Sequence, residues 1–341
     1  MTDSAAHTSS LHPVTVDRIG FDSVCIRWNP DAVGLPVSVC CGPAPDRISA
    51  EAAATAAPGE TTLTLAGLAP GRPVFVRLHA GAGPGVVVGE RCLPVEGVTN
   101  LRDLGGYAAA DGRRVRWGTV YRSANLGRVT ADGLAALRQL GIRLVCDFRT
   151  EAESVKLPNL FPDSSEVAYL RLPVQHGDHE PTAVFERIRN GDYGWISEQF
   201  MLEGYIEGLD RHAHVWASYL RALAQARHRP LLFHCTGGKD RTGAAAALTL
   251  LALGVPEATV VADYGLSDGC NVEVRRRVSD YLRQLNVDLP TVEPYFTAPA
   301  SRLRALLDHL RRAYGSAEDY LVHTAGVEPG VIALLKDELL E

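Results

Sequence analysis

Apolar residues follow two rhythms along the chain, and the rhythm changes near residue 95. From Val14 to about Pro94 they come in short runs broken by Pro and Gly. Ser23-Val24-Cys25-Ile26-Arg27-Trp28 alternates and stops at Asn29-Pro30, Thr62-Leu63-Thr64-Leu65 alternates again, and Leu68-Ala69-Pro70-Gly71 turns the chain into Val74-Phe75-Val76-Arg77-Leu78. Alternation of this length marks half-buried strands, and several at this spacing predict a small all-β sandwich over 13–94. Residues 1–12 read as a flexible tail.

Beyond residue 95 the period lengthens. Leu134, Leu137 and Leu140 recur at helical spacing after Thr130, a capping residue, and before Gly141, a stop signal. Ile142 to Cys146 reads as a buried strand ending at Asp147-Phe148-Arg149-Thr150-Glu151, and Glu166 to Val174 as another. Ser197 to Ala226 is largely helical by pattern, with Phe200, Tyr205, Ile206, Val215, Trp216, Leu220 and Leu223 at its apolar positions. Leu231-Leu232-Phe233 is a short buried run, and an Ala/Leu helix from Gly243 to Leu253 ends at Gly254-Val255-Pro256. Further helices are expected over Ala258–Tyr264, Asp268–Gln284, Leu303–Tyr314 and Tyr320–Leu340. Strands alternating with helices predict an α/β unit over 95–341, a parallel-core sheet flanked by helices.

Composition narrows the functional classes. The 341 residues are 46% hydrophobic and 22% charged, enough to bury a large core. A net charge of −6 without a long Lys/Arg run argues against a nucleic-acid polymer as partner. There is no apolar run of membrane-spanning length, and Met1 to Ser10 lacks the apolar centre of a secretory signal. The seven cysteines form no CxxC pair or regular framework. Cytoplasm is the expected location, with export lacking such a signal as the alternative. His212 and His214, like His176 and His179, sit two apart without a carboxylate at ligand spacing, so surface histidines are expected and no metal site.

One stretch carries chemistry. Pro-Leu-Leu-Phe-His-Cys-Thr-Gly-Gly-Lys-Asp-Arg-Thr-Gly runs from Pro230 to Gly243. A strand that feeds a helix through small residues aims several backbone N–H groups and the positive end of the helix dipole at one point, so an anion belongs there. Cys235 opens that loop, where the same field favours the nucleophilic thiolate. Arg241 closes it with a planar fork able to hold two phosphate oxygens. A Walker loop would need Gly five places before the Gly of the Gly-Lys pair and Ser or Thr after the pair, where this chain has Phe233 and Asp240.

His-Cys-X5-Arg-Thr resembles the signature loop of the cysteine-dependent protein tyrosine phosphatases, and His-Cys-x-x-Gly-Lys-Asp-Arg-Thr-Gly resembles their bacterial branch. Asn100-Leu101-Arg102-Asp103-Leu104-Gly105-Gly106 and Gly118-Thr119-Val120-Tyr121-Arg122-Ser123 are similar to that branch's entry segments, and Gly315 to Leu321 to its closing one. The resemblance covers 95–341. It implies hydrolysis of a phosphate monoester without metal or other cofactor, through a cysteinyl-phosphate on Cys235. Thr236, Gly237, Gly238, Lys239, Asp240 and Arg241 would bind phosphate, with His234 supporting the loop and helping keep Cys235 ionised, and Thr242 easing departure of the sulfur. The general acid is open: Asp147 at its strand end, Asp240 within the loop, or an acid of the polar loop Gln175–Gly194 such as Asp178, Glu180 or Asp192. In related enzymes helices near 258–284 form a lid. Arg102, Asp103 and Arg122 are expected to brace the core, Arg149 the strand end, and Arg275 to Arg277 to form a solvated face. The substrate is a phosphotyrosine protein, a phosphoinositide or a small phosphate ester of metabolism, with a non-catalytic phosphate-binding module as the contrasting class. The Trp28 position and the Gly-Leu-x-Pro-Gly-x-x-x-Phe-x-Arg pattern from Gly67 to Arg77 resemble a fibronectin type III module.

Overall fold

The computed structural model describes residue 11 and residues 14–29, 34–69, 72–81, 85–160, 167–175 and 181–341. The chain divides into two compact units, Met1–Glu96 and Gly97–Glu341. His176, Asp178, His179 and Glu180 of the polar loop lie outside the described residues.

The first unit is β-rich. Strands β1 (Thr15–Gly20), β2 (Ser23–Arg27), β3 (Val37–Gly42), β4 (Ala54–Ala56), β5 (Thr62–Leu65), β6 (Phe75–Ala80) and β7 (Val86–Gly89) form two antiparallel sheets, ordered β1-β2-β5 and β4-β3-β6-β7. The alternation read from the sequence sorts the side chains: Val24, Ile26 and Leu65 from one sheet join Val37, Val39, Val76 and Leu78 from the other in one apolar core with Trp28. Leu11, expected in the flexible tail, is fully buried in this core, and its carbonyl accepts from the Asn29 amide at 3.2 Å.

The second unit is α/β. Strands β8 (Arg102–Asp103), β9 (Val120–Ser123), β10 (Leu144–Asp147), β11 (Ala168–Arg171) and β12 (Leu231–His234) form one sheet in the order β11-β10-β12-β9-β8. β9, β12, β10 and β11 are parallel, and β8 returns antiparallel along β9. Every residue of β9, β10 and β12 is buried, as expected of strands covered on both faces. The register aligns His234 with Asp147 on one side and with Ser123 on the other. Three strands therefore end level, and the loops that leave them converge on one edge.

Helix α1 (Ala131–Gln139) starts as the sequence indicates, with the Thr130 hydroxyl accepting from the Gly133 amide. The stretch 197–226 is two helices, α4 (Glu198–Arg211) and α5 (Ala213–Ala224), broken at His212. Helix α6 (Asp240–Ala252) begins before Gly243, taking Arg241 and Thr242 into its first turn, and packs four successive buried alanines, Ala244–Ala247, into the main core. α7 (Glu257–Cys270) runs past Tyr264 and takes in Asp268, so α8 (Val272–Gln284) starts later than expected, while α10 (Ala300–Tyr314) begins three residues before its predicted span and ends with it. Tyr320–Leu340 is not one helix. Tyr320–Thr324 winds as a π-turn, and α11 (Pro329–Leu339) restarts where Pro329, lacking an N–H, suits a first helical turn.

Three short helices escape the hydrophobic pattern: α2 (Glu151–Lys156), α3 (Val184–Arg189) and α9 (Leu289–Phe296). Two of them help build a second small core, in which Val184 and Ile188 of α3 and Ile196 meet Leu282 of α8, Val287 and Val292 of α9. No helix among the described residues is long and apolar enough to cross a membrane.

Candidate active site

β12 delivers Cys235, 2% exposed, to the start of the loop, and α6 begins five residues later. The loop is held through its carbonyl oxygens. Asn100 Nδ2 donates to Gly238 O at 2.8 Å and Gly237 O at 3.3 Å, Arg122 donates to Gly238 O at 3.0 Å, and Asn125 donates to Thr236 O from its side chain at 2.9 Å and its backbone at 3.1 Å. In a trans peptide the C=O and the following N–H point opposite ways. Tying back the carbonyls of residues 236–238 therefore turns the amides of Gly237, Gly238 and Lys239 to the other side, the arrangement of an anion-binding nest.

Arg241 is aimed by a residue that the sequence reading missed. The Glu153 carboxylate takes two parallel bonds from its guanidinium, at 2.6 and 2.7 Å, and Arg241 also donates to the Phe148 and Val174 carbonyls at 3.3 Å. Glu153 accepts the Thr236 hydroxyl and the Thr150 amide as well, the latter as half of a capping box at the start of α2. Burial by itself would raise the Glu153 pKa; the bonds and charge of Arg241, with Thr236 and Thr150, outweigh it and hold the carboxyl at about 2. The visible signal was the Thr150-x-x-Glu153 spacing, which announces a cap and says nothing of Arg241.

Asp147 and His234 lie together behind the loop. His234 Nδ1 donates to Cys235 O at 3.1 Å, which leaves Nε2 to accept from Asn159 at 3.2 Å. Burial pushes the His234 pKa down despite the nearby Asp147, so the ring is neutral and positions the loop without lending it charge. The Asp147 carboxylate takes Arg149 through its backbone amide, Nε and a terminal nitrogen at 2.9, 3.0 and 2.8 Å, and Asn159 at 3.2 Å. Burial raises its pKa, but the bonds and charge of Arg149 bring it below the ordinary aspartate value. A buried carboxylate so engaged and kept ionised is poorly placed to hand a proton to a substrate. Arg149 braces the strand end, reaching the Leu157 carbonyl and Asn159 as well.

Asp240 is the more open carboxylate, its side chain 24% exposed in the first turn of α6. Lys239, expected among the phosphate-binding residues, turns its buried ammonium to the Tyr295 and Thr297 carbonyls at the end of α9, at 2.6 and 2.9 Å. Desolvation lowers its pKa against the opposing pull of Asp240, 3.4 Å away. The Thr242 hydroxyl is fully buried with no hydrogen-bond partner among the described residues, a feature that in native structures calls for an explanation.

Residues 93–341 match the tyrosine phosphatase family. The chain belongs to that family. It is 34% identical over 235 residues to a Cupriavidus necator protein assigned by name to the tyrosine-protein phosphatases, covering 69% of this chain and 84% of that one. It is 30% identical over 273 residues to the triple specificity protein phosphatase PtpB of Mycobacterium tuberculosis, covering 72% and 97%. A tyrosine-protein phosphatase of Nostoc commune is 30% identical over 223 residues, covering 64% and 73%. By this kinship the protein is a phosphoric monoester hydrolase.

The phosphatase loop rests on a buried ionic scaffold. Asp263 of α7 binds Arg122 at 2.6 Å and Arg102 at 3.5 Å, and Asp103 accepts the Gly105 and Gly118 amides. Gly238 is the tighter of the two loop glycines. Its φ is +63°, and a Cβ there would lie 2.5 Å from the Ser123 and Ala124 backbone. Gly238→Ala is expected to cost about 2 kcal/mol or more, since a strained backbone and a clash add. Thermal denaturation should show the loss together with a fall in kcat/KM; an unchanged midpoint and rate would contradict this account of the loop.

Proposed function

We propose that this phosphatase hydrolyses phosphate monoesters through a cysteinyl-phosphate on Cys235. The observation that carries the reading is the loop of inward amides between Cys235 and an Arg241 already aimed by Glu153. The thiolate attacks phosphorus in line, forming the S–P bond as the P–O bond to the leaving group breaks. Amides of Gly237, Gly238 and Lys239 and the Arg241 guanidinium take the equatorial oxygens. Asp240 gives its proton to the leaving oxygen, then as carboxylate takes one from the water that attacks phosphorus. The S–P bond breaks, inorganic phosphate leaves and the thiolate returns, with the otherwise unpartnered Thr242 hydroxyl donating to sulfur.

We infer a phosphotyrosine protein as the preferred substrate. A polyphosphorylated inositide would draw on a second loop cation, and the Lys239 ammonium is occupied by carbonyls of α9. The first unit, with three and four antiparallel strands around a buried Trp28, supports the fibronectin type III-like reading and a docking or packing role. A thiolate nucleophile suits the cytoplasm, where thiols stay reduced.

Phosphate release from a panel tests the substrate, with EDTA present and Cys235→Ser as control. The panel holds a phosphotyrosine peptide, a phosphoserine peptide, phosphoinositides, and nucleoside and sugar phosphates. The phosphotyrosine peptide is expected to give the highest kcat/KM. Preference for a nucleoside or sugar phosphate would make this a metabolic enzyme, and no release from any of them would leave a phosphate-binding module.

A further inference from the structure

Asp240 is gripped from within the protein. The Tyr205 hydroxyl, on α4, donates to Asp240 Oδ1 at 2.5 Å, and 2.6 Å from it lies the hydroxyl of Tyr264, on α7. Both tyrosines are almost wholly buried, at 2% and 1% exposure, and their rings meet edge to face with centroids 6.2 Å apart. With Tyr205 donating to the carboxylate, its own oxygen is left to accept from Tyr264, so the three groups form one directed chain. The last residue of the loop motif makes room for it: a Cβ on Gly243 would lie 2.9 Å from the Tyr264 ring. Two phenols are costly to bury unless their hydroxyls are satisfied. Here the satisfaction runs to a carboxylate that is itself partly open.

We propose that Tyr205, backed by Tyr264, is the positioning residue of the proton-transfer step, holding the Asp240 carboxyl in the rotamer that faces the leaving oxygen. This rests on the reading of Asp240 as the general acid. The hydroxyl takes Oδ1 and so fixes the rotation of the carboxyl group. Burial, with the charge of Asp240 close by, keeps the Tyr205 pKa well above the ordinary tyrosine value, so the phenol remains a donor throughout the working pH range. The other groups around Asp240 are Lys239 at 3.4 Å, Arg302 of α10 at 3.8 Å with Glu198 of α4 paired behind it, and Tyr295 of α9. The cations add attraction from two sides, while Tyr205 makes a short bond from a rigid, buried ring.

The test compares leaving groups. Phenolate needs a proton as it departs and para-nitrophenolate hardly does, so loss of acid catalysis slows phenyl phosphate far more than para-nitrophenyl phosphate. Asp240→Asn should show that pattern. Tyr205→Phe should reproduce it, with kcat/KM on phenyl phosphate falling about tenfold and on para-nitrophenyl phosphate less than about twofold. Its high-pH limb of kcat/KM should move upward, because a carboxylate that loses a donor holds its proton more tightly. The double variant should lose no more than Asp240→Asn alone, since both changes act on one step. Tyr264→Phe, which leaves the Tyr205 bond in place, should show the same selectivity more weakly and serves if Tyr205→Phe does not fold. Equal losses on both esters, or none, in Tyr205→Phe beside a selective Asp240→Asn would overturn the positioning role and leave Asp240 as the acid. A non-selective Asp240→Asn would overturn the acid itself, and the positioning role with it.

Discussion

Replacing Cys235 by Ser is expected to lower phosphate release by at least about 10⁴-fold while the protein still folds and still binds phosphotyrosine peptide. The substitution exchanges one nearly buried atom, and the bonds that shape the loop, from Asn100, Arg122 and Asn125 to the carbonyls of residues 236–238, do not involve that side chain. The anion nest and the Arg241 fork therefore survive. What disappears is the nucleophile, because an alcohol holds its proton far more tightly than a thiol. His234 cannot serve as its base, since its Nδ1 is bound to the Cys235 carbonyl and its Nε2 to Asn159. Titration calorimetry and a turnover assay on the same variant check both halves. Near-normal turnover would refute the cysteinyl-phosphate; lost binding with lost turnover would mean that the sulfur also shapes the nest.

What was legible in the sequence was what is local. A buried strand, a small-residue loop and an Ala-rich helix are contiguous, so the loop from Cys235 to Arg241 announced itself with its chemistry. Glu153 did not, because it meets Arg241 across 88 positions and its local pattern is fully explained by capping α2. Asp147 was placed correctly at a strand end, yet its role turns on Arg149 two residues on, which folds back over the carboxylate; spacing alone gives no sign of that direction. What the Lys239 side chain meets was hidden because α9 was invisible: with Pro290 and Pro294 inside eight residues it lacks a helical signature and exists through packing onto α8 and the segment from α3 to Ile196. The same holds for α3, whose short apolar pair is hidden among charges. Tertiary contacts override weak local propensity in both.

Glu153→Gln should be the most damaging change that leaves every group touching phosphate in place. The amide keeps the shape and can still accept from the Thr150 amide, but it leaves Arg241 buried without a counter-charge. Removing one partner of a buried pair costs about 3–5 kcal/mol, and an Arg free to turn toward the Phe148 and Val174 carbonyls should lower kcat/KM by about 10²-fold. The wild type should reveal the same pair through acid. Folding takes the Glu153 pKa from an ordinary 4.5 down to about 2, so its contribution to stability is complete above about pH 4.5 and is lost as pH falls from there toward 2. A shift of that size corresponds to about 3 kcal/mol. Urea midpoints measured from pH 6 downward should fall through this window in wild type and more shallowly in Glu153→Gln, which has no proton to take up. Parallel pH slopes in the two proteins would mean that Glu153 is not held ionised by Arg241. A Gln variant with wild-type kcat/KM would mean that Arg241 finds the phosphate without being aimed.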